Sequence, residues 1–359
     1  MSDSPPSSNG PEGLGDALGP PWGRELRGRL DRHVVESDVL KGNPLADPDR
    51  RPLYVYVPPG VDESREQAYP SIYVIQGMTG QVDMWFNRTP FEPTMLERID
   101  ELFSSQDVPP AIIVFVDAWT SYGGSQFINS TATGPYMDYL CDEVVSFVDE
   151  RYPAVRDRGA RGLTGKSSGG YGAMVVPMLR PDVFGALASH AGDALFEACY
   201  LPDFPKTARI LRDEYDGSYE VFWKLFKSAE SVTESMFSPI NSYAMAACYS
   251  PDDSRPGDVI LPFDVETGML LDDVWARWLE WDPVRLAPKH SDALASMKRI
   301  YLDGGRSDEY YLDLGAQAFA KELRKAGIDH TLELFKGTHA GLQYRYPGAI
   351  KELVVALTK

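Results

Sequence analysis

The sequence predicts an α/β fold: a mostly parallel central sheet with helices on both faces and an inserted helical segment. Short continuous apolar runs at 71–75 and 111–116 have the pattern of strands buried on both faces. Such runs alternate with helix-compatible stretches, which implies parallel strands joined by crossover helices. The alternation stops near 195 and resumes near 297, so a block of about a hundred residues interrupts it. A chain of 359 residues with 43% hydrophobic content is long enough for one such domain with its insertion, or for two modest domains.

Residues 1–25 are rich in Pro, Gly and Ser and are expected to be disordered. Strands at 33–40 and 53–58 follow as an antiparallel edge pair, with turn residues Gly42-Asn43-Pro44 and Asp47-Pro48-Asp49 between them. A helix at 93–104 joins the two buried strands. A second spans 136–152, with Leu140, Val144, Phe147 and Val148 on one face. A strand at 162–164, a helix at 173–180 and a strand at 186–189 come next. Beyond the insertion, strands at 299–302 and 331–335 bracket a helix at 314–326, and a helix at 346–357 closes the chain. The expected units are the core at 26–194 and 298–359 and a helical cap at 195–297. The cap segment is dense in aromatics, among them Tyr200, Phe204, Phe222, Phe237, Tyr243 and Trp278. These either pack a small core of their own or shape a pocket, since an insertion there lies over the carboxyl edge of the sheet.

The formal net charge of −18 disfavours nucleic acid and anionic membrane surfaces, which are bound through basic patches. Cys141, Cys199 and Cys248 are widely spaced and imply neither a disulfide framework nor a zinc site. No apolar run reaches a membrane span and no signal peptide is visible, so the expectation is a cytoplasmic protein. Assembly into a homo-oligomer is left open.

The stretch Gly165-Lys166-Ser167-Ser168-Gly169-Gly170-Tyr171-Gly172 carries the chemistry. Gly-x-Ser-x-Gly between a strand and a helix is the pattern of a nucleophile elbow, whose tight turn leaves no room for Cβ atoms two residues either side of the serine. That register selects Ser167, because centring the turn on Ser168 would put Lys166 where glycine belongs. A phosphate loop needs a glycine further upstream, where Ala160 and Arg161 stand instead. A serine nucleophile requires a base and an acid that orients the base. Among the five histidines, His339 in Gly337-Thr338-His339-Ala340-Gly341 follows the last strand and fits the base. His190 follows a strand and is a candidate pocket residue, while His33, His290 and His330 are poorly placed. The acid is expected between serine and histidine in chain order. Asp308 is the choice, with Glu309 an alternative and Asp193 a further one from the preceding strand; Asp303 continues its strand and points away or caps the turn. Two backbone N–H groups would hold the developing oxyanion, one from Ser168 and the other from Met78, with Gly77 the next choice, in Gln76-Gly77-Met78-Thr79-Gly80. Gln76, Gly77, His190 and Asp193 are the remaining candidate pocket residues, and no metal or organic cofactor is required.

Several segments resemble the putative esterase family of the α/β hydrolases, which includes S-formylglutathione hydrolase (esterase D), enterochelin and feruloyl esterases and mycolyltransferases. The likeness rests on Tyr54-Val-Tyr-Val-Pro-Pro-Gly60, Tyr69-Pro-Ser-Ile-Tyr-Val-Ile-Gln-Gly77, Gly165-Lys-Ser-Ser-Gly-Gly-Tyr-Gly-Ala-Met174, Pro181-Asp-Val-Phe184, Gly305-Arg-Ser-Asp308 and Gly337-Thr-His339. It covers about 33–195 and 297–357. It implies an α/β-hydrolase fold with Ser167 as nucleophile, Asp308 as acid, His339 as base and an oxyanion hole from Met78 and Ser168. The family's frequent His-Gly is Gln76-Gly77 here, its usual Met after the nucleophile is Ser168, and the insertion has no counterpart. The expected activity is hydrolysis of a small-molecule carboxylic ester through an acyl-enzyme. An acyltransferase on the same triad and a non-catalytic binding protein are the competing readings.

Overall fold

A computed structural model describes residues 23–62, 64, 66–105 and 107–359. The expectation of disorder for 1–25 therefore falls outside the described residues up to position 22. Arg24, just beyond, donates its backbone N–H to Glu97 at 3.2 Å.

Eight strands form one sheet: β1 (Arg29–Glu36), β2 (Arg50–Val57), β3 (Ser71–Ile75), β4 (Ile112–Val116), β5 (Arg161–Ser167), β6 (Ala186–Gly192), β7 (Arg299–Gly305) and β8 (Thr331–Phe335). Their spatial order is β1-β2-β4-β3-β5-β6-β7-β8. Only the β1–β2 and β2–β4 pairings are antiparallel; β4-β3-β5-β6-β7-β8 run parallel. β3 and β4 are buried along their whole length, as their unbroken apolar runs require. Parallel strands share a carboxyl edge, and the loops leaving β3, β5, β6, β7 and β8 gather there.

The first strand ends four residues earlier than its apolar pattern suggests. Glu143 accepts the amide hydrogens of Asp38 and Val39 at 2.7 and 3.0 Å, which takes them out of the ladder. The helix expected at 136–152 is a succession of Tyr136–Asp138, a wider π-helical stretch at Tyr139–Val144, and Val145–Arg151. The remaining long helices are α1 (Met95–Ser104), α2 (Ser168–Leu179), α3 (Phe204–Glu214), α4 (Tyr219–Ser228), α5 (Glu234–Tyr249), α6 (Asp272–Leu279), α7 (Leu312–Lys325) and α8 (Tyr346–Leu357). α1 opens with a capping box in which Thr94 and Glu97 satisfy each other's backbone N–H. α2 begins at the residue after Ser167, five residues before the sequence pattern places it.

The segment at 195–297 supplies α3 to α6. Its aromatics do not form a core apart. Phe196, Tyr200, Phe204, Tyr249 and Trp278 share one apolar cluster with Tyr171 and Met174 of α2, Leu187 of β6 and Phe319 of α7. Buried Asp282 closes the segment on its entry point by accepting the amide hydrogens of Leu195 and Phe196, both at 3.1 Å. No helix among the described residues is long and apolar enough to cross a membrane.

Candidate active site

Ser167 ends β5 with φ 58° and ψ −125°, a left-handed conformation that costs a non-glycine residue about 1–3 kcal/mol. The turn has room for nothing larger than glycine on either side. A Cβ on Gly165 would lie 2.5 Å from the backbone C and O of Gly169, and one on Gly169 would lie 2.5 Å from the Ile75 carbonyl oxygen. The two glycines of the motif thus let β5, α2 and the end of β3 touch backbone to backbone.

His339 and Asp308 reach the serine from the two loops that follow β8 and β7. These loops are zipped together, with Arg306 N–H donating to the Phe335 carbonyl and Ser307 N–H to the Gly337 carbonyl, both at 2.9 Å. His339 Nε2 lies 3.2 Å from Ser167 Oγ, and its Nδ1 lies 2.9 Å from Asp308 Oδ2. The other Asp308 oxygen accepts the Tyr310 N–H at 2.9 Å, so the carboxylate is held at both ends. Glu309 sits beside it but accepts the backbone N–H of His339 at 2.9 Å, fixing the loop rather than the ring. Tyr310 packs edge-on against the imidazole, ring centres 5.0 Å apart.

Ser168 is the first residue of α2, so its N–H has no carbonyl within the helix to bond. In the loop after β3, Thr79 N–H donates to the Gly123 carbonyl at 2.7 Å and Gly80 N–H to the Gly77 carbonyl at 3.0 Å. The N–H of Met78, which precedes both, has no hydrogen-bond partner among the described residues. Met78, Ser168, Ser167, His339 and Gly77 line one cavity of about 260 Å³, together with Thr79, Met84, Trp85, Lys166, Asp193, Tyr200, Phe237, Asn241, Tyr310 and Gln343.

Two of the candidate pocket residues are not in it. Gln76 is buried, and its amide, oriented to satisfy both ends, donates to the Val116 carbonyl at 2.6 Å and accepts from Ala118 N–H at 2.7 Å. It anchors the loop from behind. His190 is fully buried, with Nδ1 3.0 Å from both oxygens of Asp303 and its ring 4.3 Å from that of Tyr346. Paired positions on adjacent strands face the same way, and His190 pairs with Asp303 in the β6–β7 register. Asp303 points inward: burial would raise its carboxyl, but His190 and Arg345 together hold it below the ordinary carboxylate range.

Asp193 lies in the cavity wall rather than against the histidine. Its Oδ2 accepts from Tyr200 OH at 2.9 Å, Gln126 Nε2 at 3.2 Å and Ser168 Oγ at 3.3 Å. Burial pushes its carboxyl up, against these donors and the nearby His339. Burial pushes the Lys166 ammonium down, while Asp308, Asp193 and Glu309 draw it back. Gln126 and Tyr249, which bond each other at 2.7 Å, were invisible to motif reasoning because neither belongs to a pattern. Trp85, Phe237 and Asn241 reach the cavity through tertiary packing alone.

The strand order and the serine turn at the carboxyl edge are those of an α/β hydrolase. The putative esterase family matches residues 48–346, and the chain belongs to that family. An uncharacterized protein of Corynebacterium glutamicum is 24% identical over 144 residues, 40% of this chain and 33% of that protein. An endo-1,4-β-xylanase/feruloyl esterase of Xylanibacter ruminicola is 24% identical over 166 residues, 45% of this chain and 22% of that protein. The match thus spans a third or less of either relative's length. Solved structures share the fold at low identity. A ferulic acid esterase aligns at 17% identity and TM-score 0.57, covering 93% of this chain and 100% of its own. An S-formylglutathione hydrolase from Agrobacterium tumefaciens aligns at 14% and 0.55, covering 93% and 97%.

Proposed function

We propose that this protein is a serine carboxylic-ester hydrolase that works through an acyl-enzyme on Ser167, His339 and Asp308. The reading rests on one observation, the continuous chain from Ser167 Oγ through the His339 ring to Asp308 at 3.2 and 2.9 Å. Ser167 Oγ attacks the ester carbonyl carbon while His339 Nε2 takes its proton, and Asp308 stabilises the imidazolium that forms. The N–H groups of Met78 and Ser168 receive the oxyanion, a contribution of about 3 kcal/mol for each such donor. The intermediate collapses by breaking the bond to the alcohol oxygen, which leaves with the proton from His339. Water then adds to the acyl carbon, giving its proton to the same nitrogen, and the acid departs as Ser167 recovers its hydrogen. The helices of 195–297 act as a cap over this site. A cavity of about 260 Å³ is below the roughly 300–1,000 Å³ of drug-sized sites, which favours a small ester.

The test is labelling by a fluorophosphonate probe alongside turnover of 4-nitrophenyl esters. Ser167→Ala abolishes labelling and lowers kcat by roughly 10⁴-fold or more. Labelling that persists in the variant moves the nucleophile elsewhere and overturns the assignment.

A further inference from the structure

The ester chemistry leaves Asp193 unused, although it stands in the same cavity as Ser167. The residue is 6% exposed. All three of its side-chain hydrogen bonds fall on one oxygen, Oδ2. Oδ1 has no hydrogen-bond partner among the described residues, yet it is not among the polar atoms sealed from solvent. Asp193 itself lines the cavity that holds Ser167. The donors come from three separate places: Ser168 beside the nucleophile, Tyr200 at the start of the inserted segment, and Gln126, which is itself tied to Tyr249. Gln126 and Phe127 both carry positive φ, 51° and 54°, so strained backbone accompanies the placement of the amide.

We propose that Asp193 Oδ1 is the recognition atom for an ammonium group on the substrate portion that lodges under the inserted helices, making esters with a primary-amine substituent the preferred class. The inference rests on the esterase reading. Charge favours a cation over a neutral hydroxyl. Lys166 is the lysine of the cavity wall, and it interacts electrostatically with Asp308, Asp193 and Glu309, three carboxylates near one ammonium. The whole chain, at −18, pulls the same way. Tyr200, Phe237 and Tyr310 line the cavity with Asp193, and aromatic rings attract cations as well as apolar groups. A carboxyl that burial pushes up gains most from a counter-charge, which offsets the cost of its desolvation.

Two matched series test this: 4-nitrophenyl esters of 4-(aminomethyl)-, 4-(hydroxymethyl)- and 4-methylbenzoic acid, and phenyl acetates with the same three substituents on the alcohol side. In the wild type, kcat/KM for the aminomethyl member of one series exceeds that of its methyl counterpart by roughly tenfold or more, with the near-isosteric hydroxymethyl member between them. Asp193→Asn collapses that ratio. Benzylammonium also inhibits the wild-type enzyme competitively at concentrations where benzyl alcohol does not, a comparison that needs no variant to fold. The inference is overturned if methyl and aminomethyl esters turn over alike in both series, if hydroxymethyl matches aminomethyl, or if the preference survives Asp193→Asn. Methyl esters that turn over without any ammonium preference remove this inference alone. Absence of all turnover together with unlabelled Ser167 removes the esterase reading, and this inference falls with it.

Discussion

The serine turn and the helices of 195–297 meet in one cavity but are held there by different means. At the turn, backbone touches backbone: Gly165 against Gly169, Gly169 against Ile75, and the two loops bearing Asp308 and His339 zipped by main-chain hydrogen bonds. In the inserted segment, side chains do the holding. Trp278 is fully buried, with ring centres 5.3–5.5 Å from Tyr249, Phe204 and Tyr200. A backbone contact tolerates one residue type, whereas an aromatic contact tolerates several of similar volume. The proposed reacting groups therefore sit on the part of the molecule with the least freedom to vary, and the pocket wall on the part with the most.

The largest expected effects break the symmetry between two neighbouring carboxylates. Asp308→Asn removes the charge that stabilises the His339 imidazolium and lets an amide N–H face Nδ1, holding the ring in the wrong tautomer; kcat for 4-nitrophenyl acetate falls by roughly 10⁴-fold. Glu309→Gln keeps an oxygen for the His339 N–H and costs less than about tenfold, since a neutral acceptor gives up only part of a charge-assisted bond. Equal losses in the two variants would mean that the loop, and not the ring contact, carries the effect.

Next comes stability. Because Trp278 belongs to the cluster that also contains Tyr171 and Leu187, Trp278→Ala is expected to cost about 3–5 kcal/mol. The loss should appear in a single thermal transition followed by calorimetry and far-ultraviolet circular dichroism. A separate early transition, with the sheet intact, would show that the inserted segment folds as a unit of its own and would undo the contrast drawn above.

The same contrast explains what could be read from the chain. Strands β3 and β8 were legible to the residue, because their ends are set by apolar runs and flanking turns. The convergence of Ser167, Asp308 and His339 was legible because a strained turn and crowded loops leave glycine signatures at fixed offsets. His190 was misplaced for a physical reason. Its position at a strand end suggested the pocket, but its direction depends on the register with β7, which sequence does not state. Gln76 was misplaced because an amide next to an oxyanion loop can equally well face the neighbouring strand's exit, as it does toward Val116 and Ala118. The alliance of Gln126, Asp193, Tyr200 and Tyr249 joins residues up to 123 positions apart and leaves no periodic trace.

The smallest expected effect separates pocket from core within the inserted segment itself. Phe237 is half-buried on α5 and reaches the cavity, unlike fully buried Phe222 on α4, which packs beneath Tyr215 and Tyr243. Phe237→Ala gives up ring surface that a bound aromatic group would cover, worth about 1–2 kcal/mol. The expected result is a rise of roughly fivefold to thirtyfold in KM for 4-nitrophenyl benzoate, and a smaller rise for the acetate, which is too short to use the ring. Thermal stability should move by less than about 1 kcal/mol, as it does when a partly exposed side chain is trimmed. A drop in stability comparable to that of Trp278→Ala, with the benzoate-to-acetate ratio unchanged, would make Phe237 a core residue. The inserted aromatics would then all serve packing, and specificity would have to come from Asp193, Lys166 and the loops of the sheet edge.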